Sequence, residues 1–274
     1  MISIITAVCN QLEMNKIFLD SLRKHTDGEW ELIVVDNGST DGSREFFESA
    51  GDPVTVIPND GYYSYPYCQI IGGMMAGGDV LAYFHNDIIL SPHWDTRILS
   101  LLGKDGREVL SLGGIERLPD PEESMNKIER WEKTRRMTAK VMGVKERGLN
   151  MMTKVFYGGW ERAAEKEWKE NGGFINSGFI KSAIVMTRRA QELVGDFDPT
   201  IQEGELDLYF RTIHRNRTVG DIAPMGVASG VFHHHYDLPP MTPPGKKFLD
   251  AEILQSMREK WGAPTIGRYM ASMM

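Results

Sequence analysis

Hydrophobic positions along the chain fall into short unbroken runs separated by stretches of helical spacing. Ile2–Val8 (ISIITAV) is rich in β-branched residues, the pattern of a strand buried on both faces. From Leu12 to His25 the apolar spacing shifts to three and four, which lets Phe18, Leu19 and Leu22 share a face and predicts a helix. Residues 32–36 (LIVVD) form a second apolar run, stopped by the turn-rich NGSTDGS at 37–43. A helix starting inside that run and carrying Phe46 and Phe47, a strand at 54–57, a small-residue helix near 69–76 and a strand at Val80–Phe84 follow. Strands alternating with helices predict an α/β fold, a mostly parallel sheet flanked by helices on both faces.

Further along the pattern loosens. Residues 125–148 carry eight Lys/Arg against three Glu, a local excess of +5, and Met125, Met137, Met142, Met151 and Met152 crowd the same region and its sequel. A strand is expected at 179–186 and a helix at 206–214. A Pro-rich break (Pro239, Pro240, Pro243, Pro244) precedes an expected amphipathic helix over 246–260 that packs back on the rest. No repeat or low-complexity tract appears, and 274 residues suit one domain spanning 1–274.

Composition narrows the function classes. The net charge of −7 counts against nucleic acid as a partner. No apolar run approaches the roughly 18 residues of a membrane span, and Ile2–Val8 begins too early for the charged start of a signal peptide. Cys9 and Cys68 form neither a disulfide framework nor a CxxC motif, so a cytoplasmic location is expected. No two glycines are separated by a single residue, which excludes GxGxxG. The run Gly72-Gly73-Met74-Met75-Ala76-Gly77-Gly78-Asp79 lacks the Lys-Ser/Thr of a P-loop, and its glycines read as close helix–sheet packing.

Three polar clusters end predicted strands or open a helix, where open α/β sheets bind ligands. Asp36-Asn37-Gly38-Ser39-Thr40-Asp41 offers a carboxylate to a base or ribose, although the same residues suit a turn and helix cap. His85-Asn86-Asp87 offers a carboxylate to a divalent cation bridging phosphate oxygens, although Asn-Asp also suits an ordinary turn. Glu203-Gly204-Glu205-Leu206-Asp207 offers a general base, although acids are favoured in any first helical turn. In His233-His234-His235, strand alternation turns 233 and 235 one way and 234 the other, which leaves one metal ligand at most and no zinc finger.

Together these segments resemble the family 2 glycosyltransferases of GT-A fold. Residues 3–10 (SIITAVCN) are similar to the family's opening strand, and 31–43 (ELIVVDNGSTDGS) to its nucleotide-binding signature. Asn59-Asp60-Gly61 fits the following Asn-x-Gly turn, and His85-Asn86-Asp87 stands at the DxD motif, resembling a rhamnosyltransferase-like variant. Gly195-Asp196-Phe197-Asp198, Glu205-Leu206-Asp207-Leu208 and Arg211 resemble the segment closing on the acidic catalytic motif. Val231-Phe232-His233 fits a late histidine and Lys260-Trp261-Gly262 an ending. Two departures stand out: His85 replaces the first Asp of DxD, and Gly204-Glu205 replaces a Glu-Asp pair.

The resemblance implies an inverting hexosyl or deoxyhexosyl transferase of polysaccharide biosynthesis, assisted by Mg²⁺ or Mn²⁺. Residues 1–115 would be its nucleotide-sugar half, 116–235 its acceptor and catalytic half with a helical acceptor-side insertion, and 236–274 a tail with a C-terminal helix. The implied nucleotide-sugar residues are Thr6, Asn10, Asp36, Gly38, Ser39, Asp41, Asn59 and Asn86, with a UDP- or dTDP-sugar favoured. The implied metal residues are Asp87, His85 and His233. Glu205 is the implied base, Glu203 its competitor and Asp207 next in line. The acceptor would be a glycan or lipid-linked glycan, met by the basic 125–148 segment, which would leave the protein peripheral to a membrane at most. Release of pyrophosphate would instead indicate a sugar-phosphate nucleotidyltransferase, and nucleotide binding without turnover a non-catalytic sugar-nucleotide-binding protein.

Overall fold

The computed structural model describes residues 1–238 and 247–272. The first four strands, β1 (Ile2–Val8), β2 (Trp30–Asp36), β3 (Val54–Pro58) and β4 (Val80–Phe84), lie parallel in the order β3-β2-β1-β4. Helices α1 (Leu12–His25), α2 (Ser43–Glu48) and α3 (Tyr65–Met75) make the crossovers. Ile4, Leu32 and Val34 pack on Phe18, Leu22 and Phe47 on one side of the sheet. Ile5, Leu81 and Tyr83 join a second cluster with Phe197 and Tyr209 on the other. With both sides covered, β2 and β4 carry no polar alternation, hence their apolar runs. The Gly72–Gly78 stretch serves packing: a Cβ on Gly72 would sit 2.3 Å from Ile5 Cγ2, so only glycine lets α3 lie this close to β1.

The chain continues through β5 (Ile88–Leu90), α4 (Trp94–Leu99) and β6 (Val109–Gly113). Three helices then form an insertion: α5 (Pro121–Met142), α6 (Glu146–Tyr157) and α7 (Trp160–Asn171). After β7 (Ile175–Ser177), β8 (Ala183–Thr187), α8 (Arg188–Val194) and α9 (Gly204–Thr218), the strand β9 (Gly226–His235) returns to the sheet, and α10 (Met257–Trp261) and α11 (Ala263–Ala271) follow. The sheet order is β3-β2-β1-β4-β8-β6-β9-β5, with β7 also on β9. β8 runs antiparallel between β4 and β6, whereas β9 is parallel to β6, so six strands share one direction. A third apolar cluster seats the insertion, with Trp131, Leu149, Met152 and Phe156 packed against Met14, Phe232 and Tyr236. No helix among the described residues is long and apolar enough to cross a membrane.

Several elements differ from the sequence expectations. The strand expected at 179–186 starts only at Ala183, and the helix expected at 206–214 runs from Gly204 to Thr218. The helix expected over 246–260 does not form over its described part. There the chain holds a 3-10 turn at Ala251–Ile253 and α10 alone, because a Ser256–Glu259 capping box starts a helix at 257 and Gly262, at φ 70°, ends it. The Pro-rich break at 239–244 lies outside the described residues. The tail does pack back, through Met257, Trp261 and Tyr269 in the second cluster.

Candidate active site

The turn after β2 is knitted to the end of β1. Asn10, at φ 64°, accepts the Thr40 N–H on Oδ1 at 2.8 Å, and its own N–H donates to Ser39 Oγ at 2.8 Å. Gly38, at φ 83°, supplies the left-handed backbone this turn requires. Asp41 is a double cap: Oδ2 accepts from the Leu12 N–H at 2.9 Å and Oδ1 from the Ser43 hydroxyl at 2.6 Å, which ties the starts of α1 and α2 together. Asp36 is fully buried, and its Oδ2 receives both Nε (2.8 Å) and Nη2 (2.6 Å) of Arg44, a partner absent from the sequence expectations. Asn59 holds Asn37 Oδ1 at 3.0 Å, and the buried Thr6 hydroxyl has no hydrogen-bond partner among the described residues. Asn86 turns toward α1, donating to Asn15 Oδ1 at 2.6 Å, while Asn15 in turn donates to Asn10 O. That chain links Asn86 to the turn after β2.

The second constellation gathers at the strand ends. β4 delivers His85 and Asp87, and the last residue of β9 is His235. One potential ligand atom from each of these three residues lies within 4.8 Å of the others. His235 Nε2 stands 3.2 Å from Asp87 Oδ1, and its Nδ1 stands 3.4 Å from Glu116 Oε1. Asp87 Oδ2 accepts the Leu238 N–H at 3.1 Å. Burial pushes the Asp87 carboxyl up, but His235, His85 and the Leu238 N–H outweigh it and hold it at about 2. Burial likewise opposes the charge on His235, yet Asp87 and Glu116 raise it to about 10.

His233 does not join this group, which corrects the expectation. Its Nε2 meets Ser182 Oγ at 2.7 Å and its Nδ1 meets Gly113 O at 2.8 Å, so both ring nitrogens are spent. Burial pushes His233 down to about 4 and His234 down to about 3; the latter is packed among Trp131, Phe156 and Tyr157. Two imidazoles and a carboxylate brought this close are a donor set that could hold a divalent transition-metal ion. Glu116 resembles the carboxylates that orient metal-binding histidines from behind. It went unnoticed in the sequence because it stands in a 3-10 turn (Ile115–Arg117) outside any motif. A Cβ on Gly114 would sit 2.5 Å from Glu116 Oε2, so that glycine makes the room.

Glu205, buried in the first turn of α9, places Oε1 3.2 Å from His85 Nε2 and so joins the cluster. Tyr65 stands edge-on to His85, with ring centroids 5.4 Å apart, and burial together with Glu205 raises its phenol well above the ordinary range. The other two acids lie elsewhere. Glu203 is exposed. Asp207 is fully buried but committed, with Oδ2 on Arg211 Nε (2.7 Å) and Oδ1 on Trp261 Nε1 (2.8 Å) and Lys260 Nζ (2.7 Å).

Comparison with known proteins bears on the family and the fold. The family model described as Glycosyl transferase family 2 matches residues 3–165. Glycosyltransferase AglE of Haloferax volcanii is 29% identical over 122 residues, which make up 42% of this chain and 39% of that protein, so the match spans under half of the relative. Among solved structures, the mannosyltransferase PcManGT from Pyrobaculum calidifontis, in complex with GDP-Man and Mn²⁺, superposes with a TM-score of 0.56 at 14% identity. That match covers 98% of this chain and 74% of that one. S. aureus TarS 1-349 gives a TM-score of 0.51 at 12% identity, covering 85% and 60%. These likenesses identify the fold as GT-A.

Proposed function

The chain belongs to glycosyl transferase family 2, and we propose that it moves a sugar from a nucleoside-diphosphate sugar to an acceptor hydroxyl with inversion, Glu205 serving as the base. The observation that carries this reading is the 3.2 Å contact between His85 Nε2 and Glu205 Oε1, which joins a buried carboxylate to the Asp87–His235 pair. Asp36 takes the nucleoside, a uridine or thymidine base being favoured by its turn, with Asn10, Gly38 and Ser39 shaping the backbone around it. A divalent cation held by His85, Asp87 and His235 would neutralise the departing diphosphate. The mixed nitrogen and oxygen donors favour Mn²⁺ over Mg²⁺, which takes oxygen ligands. His85 donates from Nε2 to Glu205 and fixes its carboxylate. Glu205 accepts the proton of the acceptor hydroxyl, whose oxygen attacks the anomeric carbon opposite the leaving group.

The test compares two glutamines. In Glu205→Gln, thermal stabilisation by nucleotide sugars with Mn²⁺ should persist while kcat falls by about 10²–10⁴-fold, the usual worth of general-base assistance. Glu203→Gln should behave as wild type. A dead Glu203→Gln beside an active Glu205→Gln would overturn the assignment. The released product, a nucleoside diphosphate or pyrophosphate, separates transfer to an acceptor from nucleotidyl transfer.

A further inference from the structure

We propose that the C-terminal half of α5 is a docking face that seats the protein on an anionic lipid surface. Lys133, Arg136, Met137, Lys140 and Val141 follow the i, i+3, i+4, i+7, i+8 spacing of a single helical stripe, and Val144 stands two residues past the end of α5, after Gly143 at φ 73°. All six are exposed, and the apolar members unusually so: Met137 61%, Val141 83% and Val144 58%. The stripe contains no acid; Glu129 lies one turn before it and Glu132 beside its start. Lys133, Arg136 and Lys140 form no ion pair among the described residues. Other cations of the segment are used internally: Lys127 pairs with Glu123 and Glu167, Arg130 covers the Phe156 ring, and Arg135 donates to the carbonyls of Tyr236 and Asp237. These three cations, of which Arg136 also donates from Nε to the Glu132 carbonyl within the helix, thus form a positive stripe on a protein whose net charge is −7.

The chemistry of the stripe selects the partner. A soluble polyanion would use the cations and leave three large apolar side chains in water. A bilayer carrying anionic headgroups takes both: the methionine and valines enter the acyl boundary while the lysines and arginine extend to the phosphates. The stripe also leads toward the candidate active site. Val144 lines a cavity of about 500 Å³ with Leu12, Met14, Leu149 and Leu238, and the N–H of Leu238 donates to Asp87 Oδ2. A lipid-borne acceptor would therefore meet the metal cluster along an apolar wall. That purpose rests on the transferase reading, whereas docking itself is testable without it.

The experiment is co-sedimentation of the full chain with vesicles of phosphatidylcholine and phosphatidylglycerol, against phosphatidylcholine alone. Binding is expected only to the anionic vesicles and should weaken as salt screens the headgroups. Each cation near such a surface is worth about five-fold in partitioning, so Lys133→Gln/Arg136→Gln/Lys140→Gln should lose on the order of 100-fold. Met137→Ser/Val141→Ser should weaken binding at unchanged charge. Arg162→Gln/Lys166→Gln/Lys169→Gln on α7, with the same change in net charge, should bind as wild type. The proposal falls if anionic vesicles do not pull the protein down, if the α7 and α5 charge variants lose binding equally, or if binding goes to a soluble polyanion and not to vesicles. Nucleotide-sugar stabilisation followed in the same samples reports on the transferase reading separately.

Discussion

Asp207 separates tethering from chemistry, and Asp207→Ala makes the distinction measurable. The carboxylate is fully buried and receives Arg211, Trp261 and Lys260, which fastens the Lys260-Trp261 segment of the tail to α9. Removing one partner of a buried ion pair costs about 3–5 kcal/mol, mostly because the remaining charge is stranded. Here the stranded charges have an escape, since Arg211 and Lys260 keep side-chain exposures of 16% and 22%, and Lys260 still reaches Asp198 at 2.6 Å. The low end, about 3 kcal/mol, is therefore expected. At about 2–4 °C per kcal/mol for a chain of this size, that lowers Tm by roughly 6–12 °C. Calorimetry measures the shift, and transfer assayed well below the new Tm should proceed with kcat near wild type. If Tm stays put while transfer is lost, Asp207 is a chemical group and the tether argument is wrong.

Three further outcomes follow from the cluster and the core. Mn²⁺ binding, followed by electron paramagnetic resonance, should disappear in His235→Ala and survive in His233→Ala, because both nitrogens of His233 are spent on Ser182 and Gly113; loss in His233→Ala with retention in His235→Ala would reverse the assignment. Glu116→Gln should raise the Mn²⁺ Kd by about 10–100-fold, the usual effect of removing an orienting carboxylate, and an unchanged Kd would make Glu116 a bystander. Burial, reinforced by Lys24, lowers the His25 pKa, so the unfolded chain binds more protons there as pH falls below about 6.5. Stability should accordingly drop on acidification through that range, and the drop should be shallower in His25→Gln; parallel pH profiles would refute the argument.

The elements up to the end of β4 were legible because their physics is local. A parallel strand buried on both faces is mostly apolar, so β1 and β4 could be bounded from pattern alone. Later strands lost that signature for identifiable reasons. β9 is ten residues long, yet Gly226 opens it and Gly230 interrupts it: a Cβ on Gly230 would fall 2.5 Å from Gly172 Cα, so a close chain crossing dictates the residue there. β7 is three residues long with two of them polar, and its existence depends on the neighbouring β9. In the tail, apolar spacing suggested one helix over 246–260 where the Ser256–Glu259 capping box starts a helix only at 257. Periodicity reports which face can be buried, while caps and crossings decide where an element begins and ends.

The site was legible as a set of strand ends and less so as a set of contacts. Alternation placed His233 and His235 on one face, but only the fold shows that Ser182 and Gly113 occupy the first and leave the second for Asp87. Arg44 and Glu116 had no signal, since each acts through a residue distant in sequence or outside its motif. The two departures from the family pattern turn out to be connected. A Cβ on Gly204 would sit 2.6 Å from Phe197 Cδ1, and that ring packs edge-on against Tyr65 and Tyr83, so the aromatic wall takes the volume another side chain would fill. Glu205 then reaches His85 instead. An aspartate at position 85 would set two carboxylates against each other at this distance, each penalising the other's charge. A histidine offers a donor to the same oxygen, so the residue that weakens the resemblance to DxD is the one that lets a buried glutamate stand beside Asp87 and His235.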